Sequence, residues 1–377
     1  MNGSYVKRGF RLHLDQLLVA VWTLLLLAVY AQTLSLLVPG HPNFSNIWDH
    51  QFYIKMAEGV QCSTAPLCWR VLTPSLVKLL PLPLATSFMT ISLASLALSG
   101  VLVYEISKAY GFKPCTAFVG TALFVNLSSV SGYYLYNFWL TDPIAYVFTL
   151  LGIYAVFTER NWLFLIALLV GVTAKESVLF VAPLYFTFPA SKIINRGTIK
   201  RFATLVAPAV TILVLIRVSI RAGGEYSYVN TFLTIGVPRI TGLDAEFLTK
   251  ISVSAFGFLI VFPVFNLRKT IPTLFRFLPF LILVYAQLLV ATDVARLIMM
   301  GFPAFVIMSL EGLTALTDRL SDLGSVSVPV FVYLVPCLLI FYFNLGSITP
   351  VSFATEGAVY TGFTILIMIT IYVENWV

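Results

Sequence analysis

Four short polar stretches, each beside an apolar run, carry the residue types that could do acid–base or phosphate chemistry. In the first stretch, Trp48, Phe52, Tyr53 and Met56 fall near helical spacing around Asp49, which predicts a short helix lying on a membrane surface with Asp49 at its start. A carboxylate in that position either stabilises the helix N-terminus or acts as a general base in a wet cleft. His50 and Tyr53 would line the same cleft.

The second stretch combines acceptor side chains with aromatic rings. Thr141, Asp142 and Pro143 are typical of a helix start, where Asp caps and Pro suits the first turn. The tyrosines of 133–136 and Trp139 could form an interfacial aromatic belt. Alternatively, Asn137 and Asp142 supply the acceptors, and the rings the stacking faces, of a sugar site.

The third and fourth stretches place cations and carboxylates between apolar runs. Lys175 and Glu176 are adjacent, so on a helix they would not face each other as an ion pair. Asp293 and Arg296 are three residues apart and could pair along one helix.

Two arginines at the end of a further apolar run, Arg217 and Arg221, are four residues apart and share a helix face. This spacing suits a phosphate clamp, because guanidinium groups bind two oxygens at once; the alternative is that both side chains reach out to lipid headgroups. Arg70 adds one more cation, in the loop that follows Asp49.

The elements that must position these residues are membrane helices. Of the 377 residues, 59% are hydrophobic and 10% are charged, which is far more apolar than a soluble domain. The sequence therefore predicts one all-α transmembrane domain over residues 1–377, a bundle of about 10–12 spans with a short interfacial helix in the first outer loop, 39–80. The predicted spans are 16–38, 83–104, 115–135, 141–157, 161–174, 177–190, 203–219, 251–266, 277–291, 297–316, 328–345 and 359–374.

The distribution of basic residues predicts the orientation. Placing the N-terminus in the cytoplasm puts most of the Lys and Arg on the inside, and the polar stretches then share the outer face. The runs 161–174 and 177–190 are short for full spans, so a broken or re-entrant hairpin beside Lys175 is the alternative. The first run, after Lys7, Arg8 and Arg11, is typical of a signal anchor.

The four cysteines divide into two groups. Cys62 and Cys68 share the first outer loop and could form a disulfide if it faces an oxidising compartment. Cys115 and Cys337 lie in apolar runs, where we expect them to pack as small hydrophobic side chains.

Taken together, these stretches resemble the GT-C superfamily, the polytopic glycosyltransferases that use polyprenyl-phosphate-linked sugars. The resemblance rests on Asp49-His50-Gln51-Phe52-Tyr53 with Trp69-Arg70-Val71-Leu72-Thr73-Pro74, on Asn137 with Thr141-Asp142-Pro143, on Gly171 with Lys175-Glu176, and on Thr292-Asp293-Val294-Ala295-Arg296 with Pro303. These motifs cover roughly residues 45 to 305, and their order and common side matter more than any single one.

The resemblance implies a GT-C-like fold and a role for each candidate residue. Asp49 would be the catalytic base for an acceptor hydroxyl. The donor phosphate would be bound by Arg70, Lys175, Arg217, Arg221 and Arg296, and the substrate by His50, Tyr53, Asn137, Asp142, Glu176 and Asp293. Many members have two adjacent acidic residues in the first outer loop, whereas His50 follows Asp49 here. No cofactor is therefore assigned, although a divalent metal, Mg²⁺ or Mn²⁺, is left open.

The expected partners are a dolichyl- or undecaprenyl-phosphate sugar, a glycan, lipid or protein acceptor, and membrane lipids. Nucleic acid is not expected, because the basic residues behind the formal charge of +7 are scattered between apolar runs. Two other functions remain open: a transporter or flippase for a lipid-linked or anionic substrate, and a non-catalytic scaffold.

Overall fold

The computed structural model describes residues 14–37, 48–62, 64–127, 129–188, 195–220, 228–242, 244–290 and 294–321. Within these ranges the chain forms helices and no strands, as the sequence predicts. The predicted spans 328–345 and 359–374, and the candidate residues Arg221 and Asp293, lie outside the described residues.

The α-helices differ widely in length. They are α1 Leu14–Leu37, α2 Trp48–Ala57, α3 Leu72–Leu79, α4 Leu84–Tyr110, α5 Pro114–Val125, α6 Tyr134–Tyr136, α7 Asp142–Phe157, α8 Asn161–Ala174, α9 Leu184–Thr187, α10 Arg196–Ser219, α11 Tyr228–Thr231, α12 Val237–Thr241, α13 Ala245–Phe256, α14 Leu267–Ala286, α15 Val294–Ile298 and α16 Phe302–Ser321. Tighter 3-10 turns occupy Leu67–Trp69, Glu176–Val181, Gly257–Ile260, Phe262–Asn266, Gln287–Leu289 and Met299–Gly301, and π-helical turns occupy Ser129–Tyr133 and Phe232–Gly236.

Four helical segments of the described chain are long and apolar enough to cross a membrane by length and composition. They are Leu84–Tyr110, Arg196–Ser219, Phe262–Leu289 and Arg296–Arg319. Five shorter apolar helices accompany them: Leu14–Tyr30, Pro114–Val125, Asp142–Phe157, Asn161–Ala174 and Glu176–Thr187.

The helix bounds depart from the predicted spans in several regions. The predicted span 115–135 is α5, which ends at Val125, followed by a π-helical turn and α6, and α10 begins at Arg196 rather than at 203. The run predicted as the span 251–266 is the helix α13 followed by two 3-10 turns, and α14 begins at Leu267 rather than at 277. Arg268, Lys269 and Arg276 suggested a loop, but they lie exposed on the first half of α14. Exposed cations at a helix end are tolerated because their head groups reach polar surroundings.

The core is built by helices that pack along their lengths. The helix α4 packs against α5 and α7, α7 packs against α8, α8 contacts α10, and α16 lies against the 3-10 turn Phe262–Asn266. Rings fill the interior, with Phe302 lying 4.9 Å from Phe124 and 5.4 Å from Tyr146 between ring centroids. At the α1–α5 junction, the buried Tyr30 hydroxyl donates a hydrogen bond to the side chain of Asn126.

A glycine allows the chain to fold back sharply after α8. A Cβ atom on Gly171 would lie 2.5 Å from a side-chain carbon of Val178 and 2.8 Å from one of Phe148. The 3-10 turn that begins at Glu176 can therefore pack directly on α8 and α7. This close packing fixes the backbone at Lys175.

The segment predicted as the first outer loop is largely helical. It contains α2, the 3-10 turn Leu67–Trp69 and α3, and α2 packs against both others. Cys62 and Cys68 form a disulfide in this segment. Cys115, predicted to be packed, is instead exposed in the first turn of α5, because the helix begins beside it at Pro114.

Candidate functional site

Asp49 lies in the first turn of α2 and contacts a residue 247 positions away in the chain. Nη1 of Arg296 donates a hydrogen bond to Oδ2 of Asp49 over 3.1 Å, and the Asp49 side chain stays 24% exposed. The sequence had suggested Asp293 as a helical partner of Arg296. That pairing involves a residue outside the described part of the chain, and the described contact of Arg296 joins α15 to the first turn of α2.

Arg70 follows the 3-10 turn Leu67–Trp69 and is buried. Its Nη1 donates to the Tyr53 hydroxyl and its Nη2 to Oε1 of Glu176, both over 3.2 Å. Burial acts to lower the pKa of Arg70, but interactions with Tyr53, Glu176 and Asp142 outweigh it and hold this pKa well above its usual value. Burial raises the pKa of the Tyr53 hydroxyl. Arg70 is thus a fixed buried cation.

A break in the helical backbone sends two adjacent charged side chains to different partners. The helix α8 ends at Ala174, and Lys175 is extended, with φ −163° and ψ 135°, before the 3-10 turn begins at Glu176. Glu176 therefore pairs with Arg70, whereas Nζ of Lys175 contacts Oδ1 of Asp142 over 2.6 Å. The prediction that Lys175 and Glu176 are not each other's partners agrees with this geometry.

Asp142 opens α7 and pairs with a cation. Oδ1 contacts Lys175, both side chains are 2% exposed, and the preceding Thr141 makes no side-chain capping bond. Asp142 also interacts electrostatically with Arg296 and Arg70. The three ion pairs therefore form one charged cluster, consisting of Asp49, Arg70, Asp142, Lys175, Glu176 and Arg296.

Aromatic side chains accompany this cluster. The Trp139 ring lies 4.7 Å from Phe138, 5.1 Å from Phe88 and 6.1 Å from His50. His50 is buried and follows Asp49 directly, so these rings lie near the first turn of α2. Asn137, also buried, lies two residues before Trp139. The ring contact thus places His50 beside Trp139, and Asn137 is near Trp139 only in the chain.

Arg217 lies beside the cluster rather than in a described contact with it. Its guanidinium carbon lies 4.7 Å from the centre of the Trp69 ring, and Trp69 Nε1 donates to the Ile220 carbonyl over 3.4 Å. Trp69 precedes Arg70 in the chain. The helix α10 therefore contacts residues 67–70, here called the Arg70 segment. The predicted clamp with Arg221 involves a residue outside the described part of the chain.

Several buried polar atoms near the charged cluster have no hydrogen-bond partner among the described residues. They are Nε of Arg70, Oγ1 of Thr73, Oδ1 of Asn137, Nε1 of Trp139, Oγ1 of Thr141, Oδ2 of Asp142 and Oγ of Ser177. Thr73, Trp139, Thr141 and Ser177 were not assigned as site residues, although Thr73 and Thr141 lie in motifs of the resemblance and Trp139 was considered as a stacking face. Buried polar groups are normally satisfied, so each of these atoms is a candidate contact for a ligand, an ion or an ordered water.

The described residues are poorly suited to a divalent metal. Asp49, Asp142 and Glu176 each face a cation, and no group of three or more His, Cys, Asp or Glu side chains within the described ranges is placed to hold a metal ion.

Comparison with known proteins adds no family. The chain matches no protein-family model. None of the curated proteins matches it either.

Proposed function

We propose that the protein is a polytopic glycosyltransferase of GT-C type that moves a sugar from a polyprenyl phosphate to an acceptor hydroxyl. The observation that supports this most is the charged cluster, which unites ionised residues from α2, α7, the break after α8, the Arg70 segment and α15. Such groups are costly in an apolar protein, and those in membrane proteins commonly line a substrate site. They also have the chemistry that the reaction needs.

In this proposal Asp49 is the base. Arg296 binds Oδ2 and so restrains the carboxylate, and Oδ1 would take the acceptor proton. The partial exposure of Asp49 suits a group that must meet a substrate, whereas Asp142 is too deeply buried for that role. Asp142 would hold Lys175 in place.

The cations would bind the donor phosphate. Nε of Arg70 has no partner among the described residues and can donate to a phosphate oxygen while Nη1 and Nη2 keep their contacts. Lys175, Arg217, Arg221 and Arg296 would add positive charge. His50, Tyr53, Asn137, Glu176 and Asp293 would contact the sugar or acceptor.

The reaction would be a single displacement. Asp49 takes the proton of the acceptor hydroxyl, and the acceptor oxygen forms a bond to the anomeric carbon. The bond from that carbon to the phosphate oxygen breaks, and its electron pair leaves with the lipid phosphate. The configuration inverts. The cations stabilise the charge that develops on the phosphate.

The proposal includes the setting of this chemistry. The site would lie at the periplasmic, extracellular or lumenal end of a multi-pass bundle with a cytoplasmic N-terminus, and α2 would lie at the membrane surface. Because each cluster carboxylate already faces a cation, the residues do not fit a metal site, and no step uses one.

The test is sugar transfer by purified protein in nanodiscs that contain a panel of polyprenyl-phosphate sugars and candidate acceptors. Release of sugar from the lipid with formation of a glycosylated acceptor is expected for at least one donor. No transfer from any donor would contradict the proposal.

A transporter or flippase is the second candidate, and the break at Lys175 favours it, since interrupted helices with charged side chains also form transport sites. The same nanodisc protein, reconstituted into liposomes, distinguishes the two. Movement of a lipid-linked sugar between leaflets without any transfer would favour the transporter.

A further inference from the structure

A second buried polar site lies far from the charged cluster. Glu311 is in the middle of α16, fifteen residues after Arg296 in the apolar segment Arg296–Arg319. At 1.5 Å per residue these positions are about 22 Å apart along the helix, most of a membrane's apolar thickness. An ionisable side chain at such a position is costly unless it is paired or neutral.

The Glu311 carboxyl is held by two hydroxyl groups from two other helices. Oε1 lies 2.7 Å from the hydroxyl of Tyr110, the last residue of α4, and 2.8 Å from that of Thr273 in α14. The two hydroxyl oxygens are themselves 2.7 Å apart. Glu311 is 7% exposed, and its Oε2 has no hydrogen-bond partner among the described residues.

Counting protons in this triangle indicates the charge of the carboxyl. The triangle has three oxygen pairs at hydrogen-bonding distance, and Oγ1 of Thr273 also lies 3.1 Å from the Lys269 carbonyl oxygen, yet the two hydroxyls supply only two protons. If the carboxylate were ionised, the two oxygens of at least one pair would lie at hydrogen-bonding distance with no proton between them. Oε2 would then be a buried charged oxygen with no donor among the described residues. A proton on the carboxyl supplies the third hydrogen and removes the buried charge.

Among the described residues, no cation forms an ion pair with Glu311. The charged groups that interact electrostatically with Glu311 are Lys269 and Arg276 of α14, both of which are exposed, and no described ion pair involves Glu311. From α4 the titratable neighbour is Tyr110, whose ring lies 5.7 Å from Phe157. Between ring centroids, Phe157 in turn lies 4.5 Å from Phe188 and 6.3 Å from Phe277, so Tyr110 packs against an aromatic group.

We infer that Glu311, Tyr110 and Thr273 form a proton-binding site in which Glu311 is a neutral carboxylic acid at neutral pH. One proton from the solvent binds the carboxylate, and its charge changes from −1 to zero. The proton is the ligand that fits, because oxygens only 2.7–2.8 Å apart have the spacing of hydrogen bonds. The neutral acid joins α4, α14 and α16, and loss of the proton would place a charge between them. This inference is independent of the glycosyltransferase proposal.

Infrared spectroscopy of the full chain in nanodiscs tests the site. At neutral pH we expect a carbonyl-stretch band of a protonated carboxylic acid that is absent from Glu311→Gln and shifted in Tyr110→Phe and Thr273→Val. Glu246→Gln, which changes an exposed carboxylate paired with Lys250, is the control and should leave the band unchanged. A wild-type spectrum without this band at neutral pH would overturn the inference, as would a band that survives Glu311→Gln.

A second measurement guards against misfolding of the variants. The thermal midpoint of the wild type should fall as the pH rises from about 4.3, the ordinary glutamate pKa, through neutral, because the unfolded chain loses the Glu311 proton that the folded protein retains. The fall should be smaller in Glu311→Gln. If sodium ions at constant pH stabilise the wild type but not the variant, the site binds a metal cation and the inference is wrong.

Discussion

The buried ion pair between Lys175 and Asp142 has a direct consequence for stability. Both side chains are almost completely buried, and Oδ2 of Asp142 has no hydrogen-bond partner among the described residues. Removing one member of such a pair leaves an uncompensated buried charge, whereas removing both leaves only a packing change.

We therefore predict that Lys175→Met lowers the free energy of unfolding by about 3–5 kcal/mol. The double variant Lys175→Met/Asp142→Leu should recover most of this loss. Reversible unfolding in mixed detergent micelles measures both. Equal destabilisation by the single and double variants would show that the pair is not held together as described.

At the residue scale, the sequence predicts which residues form ion pairs better than it predicts which residue each one pairs with. The adjacency of Lys175 and Glu176 already excludes a simple pair between them on a helix. Their true partners, Asp142 and Arg70, lie 33 and 106 positions away from the residues they contact, so only the packing of α7, α8 and the Arg70 segment brings them together. Thr141 lies in a motif only as a helix-start residue and Ser177 lies in none, so the sequence does not mark their unsatisfied oxygens.

At the scale of elements, close backbone approach fixes how α16 packs. A Cβ atom on Gly312 would lie 1.8 Å from the Phe262 carbonyl oxygen and 2.6 Å from its carbonyl carbon. These are backbone atoms of the 3-10 turn Phe262–Asn266, so they cannot move aside as a flexible side chain would. Any side chain at 312 must push α16 away from this turn.

Gly312→Ala should therefore destabilise the protein by about 1–3 kcal/mol, the usual cost of overpacking. The matched control is Gly132→Ala, because a Cβ atom there meets nothing within 4 Å. Thermal unfolding in detergent measures both variants. A midpoint for Gly312→Ala equal to that of the control would contradict the close approach of α16.

The sequence predicts the existence of the helices better than their ends. The bounds of α7 and α8 lie within a residue of the predicted spans, because polar residues flank both apolar runs. The predicted start of α14, residue 277, was ten residues too late, because the cations and Pro272 in its first half are typical of a loop. Such features terminate a helix only if its surroundings do not accommodate them.

At the scale of the whole molecule, the cysteines provide a test of orientation. Cys62 and Cys68 form a disulfide beside α2, and Cys115 is exposed in the first turn of α5. Disulfides persist in oxidising compartments, so the proposed orientation places the bridged pair outside and Cys115 inside.

In sealed right-side-out vesicles of a Cys337→Ala background, a membrane-impermeant maleimide should label the protein only after reduction. Inverted vesicles should be labelled without reduction, at Cys115. Cys115→Ser is the control and should abolish only the second signal. Labelling of Cys115 from the outside would reverse the proposed topology.

The long continuous apolar runs suffice to predict apolar helices of membrane-spanning length, because a helix satisfies the backbone hydrogen bonds within a single run. From the sequence, Asp49 and Arg296 could be expected only to lie on the same side of the membrane, and the same holds for Arg70 and Glu176. Their pairing depends on how α2 packs on the Arg70 segment, which hydropathy does not encode. The chemistry of the site therefore remains a proposal.

The most direct test of the account is the turnover of Asp49→Asn at saturating donor and acceptor, with donor-lipid binding measured on the same preparation. Asp244→Asn is the matched control, because Asp244 caps the exposed start of α13 far along the chain from the cluster. Loss of a general base predicts about a 10²–10⁴-fold fall in turnover with donor binding retained. Turnover by Asp49→Asn equal to that of the control would contradict the assignment of Asp49 as the base.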